Sequence, residues 1–287
     1  MRRCLIVNAD DFGLHRSINE GIEEACNNGI VRSVSFASNT DIFEESLSVL
    51  KRCREVSIGI HLNIIDGRPV SNGKDLGFLL DKKGNFLGNH KKVLLSVCAN
   101  LKRISAIKVE FEEQIKRAQD GGLNISHLDS HCHIHLLPCL SNVVVDLVEK
   151  FKIPFVRVSR VRNFPFCFNV RGLVIGTMSH FASINFIRAG VKCVSNEFSL
   201  EKPGKITKEG LFLAIRNLSY GVTEINVHPS KSDSAISERF KWGYSWQDEL
   251  AVLTDKDIRE EIKRNDVALI NFNEILENVG NATNELR

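Results

Sequence analysis

The chain has 287 residues, is 43% hydrophobic and 25% charged, and carries a formal net charge of +3. That length can bury a large core and fits one α/β barrel as well as two smaller domains; one domain over residues 1–287 is the simpler expectation. The basic residues are scattered apart from pairs such as Lys82-Lys83 and Lys91-Lys92, which gives no electrostatic case for nucleic acid, and no apolar run approaches the roughly 18 residues of a membrane span.

The start, Met1-Arg2-Arg3-Cys4-Leu5-Ile6-Val7, opens like a signal peptide, but its apolar run meets Asp10 and Asp11 too soon to form one. Strand-like runs follow at 4–9, 34–37, 56–62, 125–130, 155–158, 191–198, 224–227 and 267–272. Helical spacing fills the gaps. Ser17-Ile18-Asn19-Glu20 fits a capping box, with Ile18, Ile22 and Ala25 on one face before Asn27-Asn28-Gly29 stops the helix. A longer helix is predicted over 109–119, ending at Gly121-Gly122. Strand and helix in repeated alternation predict a TIM-barrel-like parallel (β/α) barrel of seven or eight strands. Two stretches interrupt the pattern: 66–90, rich in Gly, Asn and Lys, and 163–183, which opens on Asn163-Phe164-Pro165-Phe166-Cys167-Phe168. Both read as excursions from the barrel top. The eight cysteines form no C-x-x-C pair and several sit inside apolar patterns, which suits a reducing cytoplasm.

The chemistry gathers where strands end. Asp10 and Asp11 close the first strand, with Asn8 and Asp10 sharing one face and Asp11 opening the turn beyond. Neither acid is the expected helix cap, because Ser17 fills that role by its spacing. His61 closes the third strand, His131 the fourth, and His228 follows Glu224-Ile225-Asn226-Val227. Catalytic groups of parallel barrels sit at the C-terminal strand ends, so four segments deliver acids or imidazoles to one rim. A carboxylate with two imidazoles is a common set for a divalent ion that keeps positions open for water and substrate. Asp11 suits that ion, and Asp10 suits a base beside its bound water. The run His127, Asp129, His131, His133, His135 would share one face if the strand ran straight through; the strand more readily ends near His131, with the later histidines climbing into a loop. His127 and Asp129 either orient ligand imidazoles or form a buried hydrogen-bonded pair. His15, His90 and His180 lie away from strand ends. Trp242, Tyr244 and Trp246 fit a sugar-stacking edge or a hydrophobic clamp equally well.

These motifs together resemble the YdjC-like carbohydrate deacetylase family. The resemblance rests on Leu5-Ile6-Val7-Asn8-Ala9-Asp10-Asp11-Phe12-Gly13, Asn28-Gly29-Ile30-Val31-Arg32-Ser33, Gly59-Ile60-His61-Leu62-Asn63, His127 through His135, and His228-Pro229, in the family's order. It implies a TIM-barrel-like fold, one divalent metal ion, usually magnesium, and hydrolysis of the N-acetyl group of an amino sugar. It puts the metal on Asp11, His61 and His131, the general base on Asp10, and the acid for the leaving amine on His228. The chain departs from the family where Ser230 stands in place of the usual glycine after His-Pro. By ligand chemistry alone, an imidazole-containing site would prefer zinc to magnesium. Two other readings stand beside the deacetylase. One is a metal-dependent phosphoesterase or amidohydrolase, suggested by His131-x-His133 and His133-x-His135; the other is a carbohydrate-binding protein without turnover. The expected partner is a small-molecule or oligosaccharide substrate bearing an N-acetyl group, with self-association as a homo-oligomer left open.

Overall fold

The computed structural model describes residues 2–98, 100–158, 170–194, 196–197 and 204–276. In chain order the elements are β1 (Arg3–Phe12), α1 (Arg16–Asn28), β2 (Ser33–Phe36), α2 (Phe43–Leu50), β3 (Ser57–Leu62), a 3₁₀ helix (Lys74–Leu79), α3 (His90–Cys98) and α4 (Leu101–Asp120). They continue with β4 (Ile125–Ser130), a short helical turn (His131–Leu136), α5 (Pro138–Phe151), β5 (Phe155–Val156), α6 (Val170–Arg188), β6 (Lys192–Cys193) and β7 (Asn196–Glu197). Last come α7 (Lys208–Arg216), β8 (Gly221–Val227), α8 (Asp233–Ser237), α9 (Trp246–Thr254), α10 (Lys256–Arg264) and β9 (Val267–Leu269).

All the strands pair in parallel, in the order β6-β5-β4-β3-β2-β1-β8-β7, and β9 also pairs with β1. The two ends of that order, β6 and β7, are consecutive in the chain. Three residue steps from Cys193 to Asn196 can span at most about 11 Å, so the sheet curls until both ends meet on one stretch of backbone. The predicted strand 191–198 is thus two short pieces, one on β5 and one on β8. Seven staves result, and the expected TIM-barrel-like fold is found. A strand has two edges. Since β8 takes one edge of β1 over residues 3–9, β2 and β9 share the other, β9 at Arg3–Leu5 and β2 from Asn8 onward.

Alternation along β1 sorts the side chains. Leu5, Val7 and Ala9 join Ile18, Ile22 and Ala25 of α1 and Leu253 of α9 in the layer outside the sheet. Ile6 instead meets Phe155, Val194, Ile270 and Phe272, an apolar floor inside the barrel. Above that floor the interior turns polar: Asn8, Ser33, Ser35, Ser57, His127, Asp129, Arg157 and Glu224 are all buried. Small residues make room there. A Cβ on Gly59 would stand 2.3 Å from the ring of His127, which itself stacks on Phe272 at 4.1 Å.

Local structure departs from the expectations in several places. Helix α1 is capped not by Ser17 but by His15, whose Nδ1 accepts the backbone N–H of Ser17. The Ser17 hydroxyl lies 2.9 Å from that of Ser230, so the residue that departs from the family pattern helps dock α1 against the segment after β8. Helix α4 starts eight residues earlier than the predicted 109, because Asn100 caps it with a side-chain acceptor for Lys102 N–H. The excursion over 66–90 contains a 3₁₀ helix, and the later part of 163–183 is α6; residues 163–169 lie outside the described residues. Among the described residues, no helix is long and apolar enough to cross a membrane.

Candidate metal and acid–base site

Asp11 lies within β1 rather than opening the turn after it. Strict alternation would send its side chain outward with Val7 and Ala9, but its φ is 67° and the register with β2 slips between Ala9 and Phe12. Aspartate tolerates this left-handed conformation better than most residues, and the bulge turns two consecutive carboxylates toward the rim. Asp11 Oδ1 then lies 2.8 Å from His131 Nδ1 and 3.3 Å from His61 Nε2. The ligand atoms of Asp11, His61 and His131 all fall within 4.8 Å of one another, and all three residues are buried.

Charge defines what this centre wants. Burial alone would raise the Asp11 carboxyl, yet His131 and His61 hold it well below its ordinary value. Burial likewise works against a charged His61 ring, but Asp129 and Asp11 outweigh it and push the ring up to about 10. His131 is also raised well above its ordinary value against the effect of burial, by Cys132, Asp11 and Asp66. Of four buried carboxylates, Asp10, Asp129 and Glu224 pair with the buried guanidinium of Arg157, whereas Asp11 pairs with the two imidazoles, and among the described residues no other arginine is buried. Two protons on the imidazoles or one divalent ion would relieve that imbalance equally. The donor set of one carboxylate and two imidazoles fits such an ion.

Behind this centre lies a second layer. His61 Nδ1 is 2.8 Å from Asp129 Oδ1, which leaves Nε2 facing Asp11, so Asp129 does orient a candidate ligand ring. Asp129 Oδ2 accepts from the Ser35 hydroxyl at 2.7 Å, and His127 Nε2 sits 3.1 Å from that hydroxyl. Burial pushes His127 down to about 3, so its ring is neutral and serves the packed interior. His135 is neutral for the same reason, at about 4, and is fixed between the Ser130 hydroxyl at 2.6 Å and the Arg157 carbonyl at 3.0 Å. As expected, β4 stops at Ser130. The chain then turns through Cys132 and His133, both with positive φ (54° and 56°), so His135 is aimed at β5 and not at Asp11.

Arg157 was not visible as a site residue in the sequence. It follows β5 directly and is wholly buried. Its Nη1 and Nη2 each donate to Asp10 at 2.8 Å, its Nη1 lies 2.6 Å from Asp129 Oδ2, and its Nε donates to Glu224 at 2.7 Å. Asn8 Nδ2 gives Asp10 Oδ1 a further hydrogen bond of 2.7 Å. Burial would raise Asp10, but Arg157 and His61 together hold the carboxyl below its ordinary value. Asp10, His61 and Asp129 also form a tight group, yet the guanidinium already sits between its two carboxylates.

On the other side of β1, Ala9 pairs with Val227, which brings His228 level with Asp10. The backbone N–H of His228 donates to Glu249 Oε2 at 2.7 Å, and its Nδ1, which has no hydrogen-bond partner among the described residues, is 4.0 Å from that oxygen. The aromatic trio divides. Trp246 is 1% exposed and belongs to the core, whereas Trp242 and Tyr244 are half-buried. Trp242 lies 5.0 Å from the ring of His131, and Tyr244 5.0 Å from that of His228. The two open aromatics therefore flank the two outer histidines.

A parallel barrel with buried acids and imidazoles converging at its C-terminal strand ends has the build of an α/β-barrel enzyme. The chain belongs to the YdjC-like protein family, whose model matches residues 4–264. It is 30% identical over 270 residues to a protein of Thermoanaerobacter pseudethanolicus named carbohydrate deacetylase, covering 94% of this chain and 98% of that protein. A Clostridium beijerinckii protein of the same name is 30% identical over 271 residues, covering 94% and 99%. Among solved structures, a protein from Enterococcus faecalis V583 named for cellobiose-phosphate cleavage superposes with a TM-score of 0.76 at 22% identity, covering 96% of this chain and 99% of that one. At that identity the likeness speaks for the fold.

Proposed function

We propose that this protein is a carbohydrate deacetylase that removes the N-acetyl group from an amino sugar, of a chitooligosaccharide or related glycoconjugate, with the help of one divalent metal ion. The observation that carries this reading is the convergence of two imidazoles, one from β3 and one from the turn after β4, on the buried carboxylate of Asp11, directly beside a second acid. The names of the full-length relatives supply the reaction. Residues 1–287 are taken as one catalytic domain, because the site draws on β1 at the start of the chain and on the end of β8 near its finish. The scattered cysteines, which form no C-x-x-C pair, support a reducing, cytoplasmic setting.

Asp11, His61 and His131 would hold the ion, magnesium by family resemblance, with zinc favoured by the imidazoles. Such an ion, when bound, polarises the acetyl carbonyl and lowers the pKa of a water. Asp10 receives that water's proton. A carboxylate offers about four lone-pair positions, and Asn8 and Arg157 fill three on Asp10, leaving one for the proton. Arg157 keeps Asp10 ionised and aimed, so the base is ready before substrate arrives. His228, opposite Asp10 across β1, donates the proton that the departing amine needs. Trp242 and Tyr244 offer apolar ring faces for the sugar beside these two histidines.

Against the phosphoesterase or amidohydrolase reading, the second of its two His-x-His elements is spent elsewhere, since His135 is committed to Ser130 and to the Arg157 carbonyl. Incubation with N-acetylglucosamine oligomers of increasing length should release acetate and leave a free amine. Tight sugar binding with no acetate would point to the non-catalytic carbohydrate-binding protein instead.

A further inference from the structure

The two candidate ligand rings are held in matching ways. His61 sits between Asp11 at Nε2, 3.3 Å away, and Asp129 at Nδ1, 2.8 Å away. His131 sits between the same Asp11 at Nδ1, 2.8 Å away, and a carboxylate at its other nitrogen: Asp66 Oδ2 is 3.4 Å from His131 Nε2. The His131 ring is only 5% exposed, and Nε2 is buried without a hydrogen bond of ordinary length, so a partner is called for at that nitrogen. Among the described residues, Asp66 is the group in reach.

The loop that carries Asp66 is fixed by buried side chains. Asn63 accepts the backbone N–H of Asp66 at 3.1 Å and donates to its carbonyl at 2.9 Å, and Asn39 donates to the same carbonyl at 2.9 Å. Further along, Glu110 accepts the N–H groups of both Val70 and Ser71 at 2.9 Å, while Gln114 bonds Asn63 N–H, Asn63 carbonyl and Glu110. Asn39, Asn63, Glu110 and Gln114 are each at most 1% exposed. So many buried polar groups spent on one loop backbone place the Asp66 carboxylate with little freedom, which is what positioning a ligand demands.

We infer that Asp66 is a positioning residue of the metal centre, accepting the Nε2–H of His131 so that the Nδ1 lone pair faces the position shared with Asp11 and His61. Asp66 thereby does for His131 what Asp129 does for His61. A carboxylate on the far nitrogen fixes the tautomer, stops the ring from turning and makes the ligating nitrogen more basic. This inference rests on the metal-site reading above, and its test separates the two.

The test is calorimetric titration of metal-free protein with Mn²⁺, comparing wild type, Asp66→Ala and Asp66→Asn, with the thermal midpoint of each metal-free protein measured alongside. Asp66→Ala should bind Mn²⁺ about 10- to 100-fold more weakly than wild type at an unchanged metal-free midpoint. Asp66→Asn, which keeps an acceptor but not the charge, should fall between. Wild-type affinity in Asp66→Ala would overturn the role of Asp66 while leaving the metal centre standing. A loss of affinity accompanied by a clear drop in the metal-free midpoint would also overturn it, making Asp66 a prop for the loop. If wild type itself bound no Mn²⁺, the metal reading would fail and this inference with it.

Discussion

Asp10→Asn is expected to cut acetate release by about 10²–10⁴-fold while bound metal stays at the wild-type level, because the change removes the proton acceptor, together with one of the two oxygens that Arg157 bonds, but none of the candidate metal ligands. Asparagine is almost isosteric, and its carbonyl can still accept from Arg157. The ligand atoms of Asp11, His61 and His131 are untouched. The loss should appear in kcat more than in KM, since Asp10 acts on the water and not on the sugar. Metal content measured on the same preparation checks the assignment: full activity with metal bound would remove Asp10 as the base.

Arg157→Met is expected to be the most destabilising single change at the centre, costing about 3–5 kcal/mol, because it strips the shared cation from three buried carboxylates. The sign of its pH dependence follows from linkage. In the wild type burial would raise Asp10 and Asp129, but Arg157 and His61 together hold both below their ordinary values, so their contribution is present above the unfolded-state pKa and is lost as pH falls. In the variant only His61 and the other neighbouring imidazole still oppose burial, so both groups move up and the stability that their ionised forms contribute near neutral pH shrinks. The gap between the two proteins should therefore be widest near neutral pH and narrow below about pH 4, the ordinary carboxylate range. Urea unfolding at several pH values would measure it; a gap that widened on acidification would mean that Arg157 is not the counter-charge.

Much of the candidate site could be read from the sequence because each of its main residues stands among the last residues of a strand or just beyond it. Asp10, Asp11, His61, His131 and His228 stand out since an apolar alternating run stops on a group with chemistry, and a parallel barrel sends those ends to one rim. The strands themselves carried the fold, since alternation is a short-range signal that survives packing. What stayed hidden depends on contacts across the barrel. Arg157 follows Phe155-Val156 as any polar residue might follow a strand, and only the folded chain brings Asp10, Asp129 and Glu224 to it from three other strands. Asp66 lies in a stretch rich in Gly, Asn and Lys, where an aspartate carries no signal of its own.

The aim of Asp11 was equally unreadable, because it turns on a positive φ and a register slip that alternation does not foresee. The same limit divided the strand over 191–198 in two: its composition suits one strand, but closing seven staves hands its halves to different neighbours. For the aromatic trio the sequence left two readings even. Burial separated them, sending Trp246 to the core and leaving Trp242 and Tyr244 beside the histidines.

The central claim is that a divalent ion on Asp11, His61 and His131 is needed to remove an acetyl group from an amino sugar. The most direct measurement follows acetate release from an N-acetylglucosamine oligomer by one preparation in three states: as purified, after exhaustive chelation with metal content verified, and after Mg²⁺ or Zn²⁺ is restored. The expected result is release that disappears with the metal and returns with it in wild type, but does not return in His61→Ala. Undiminished acetate release from verified metal-free protein would contradict the account.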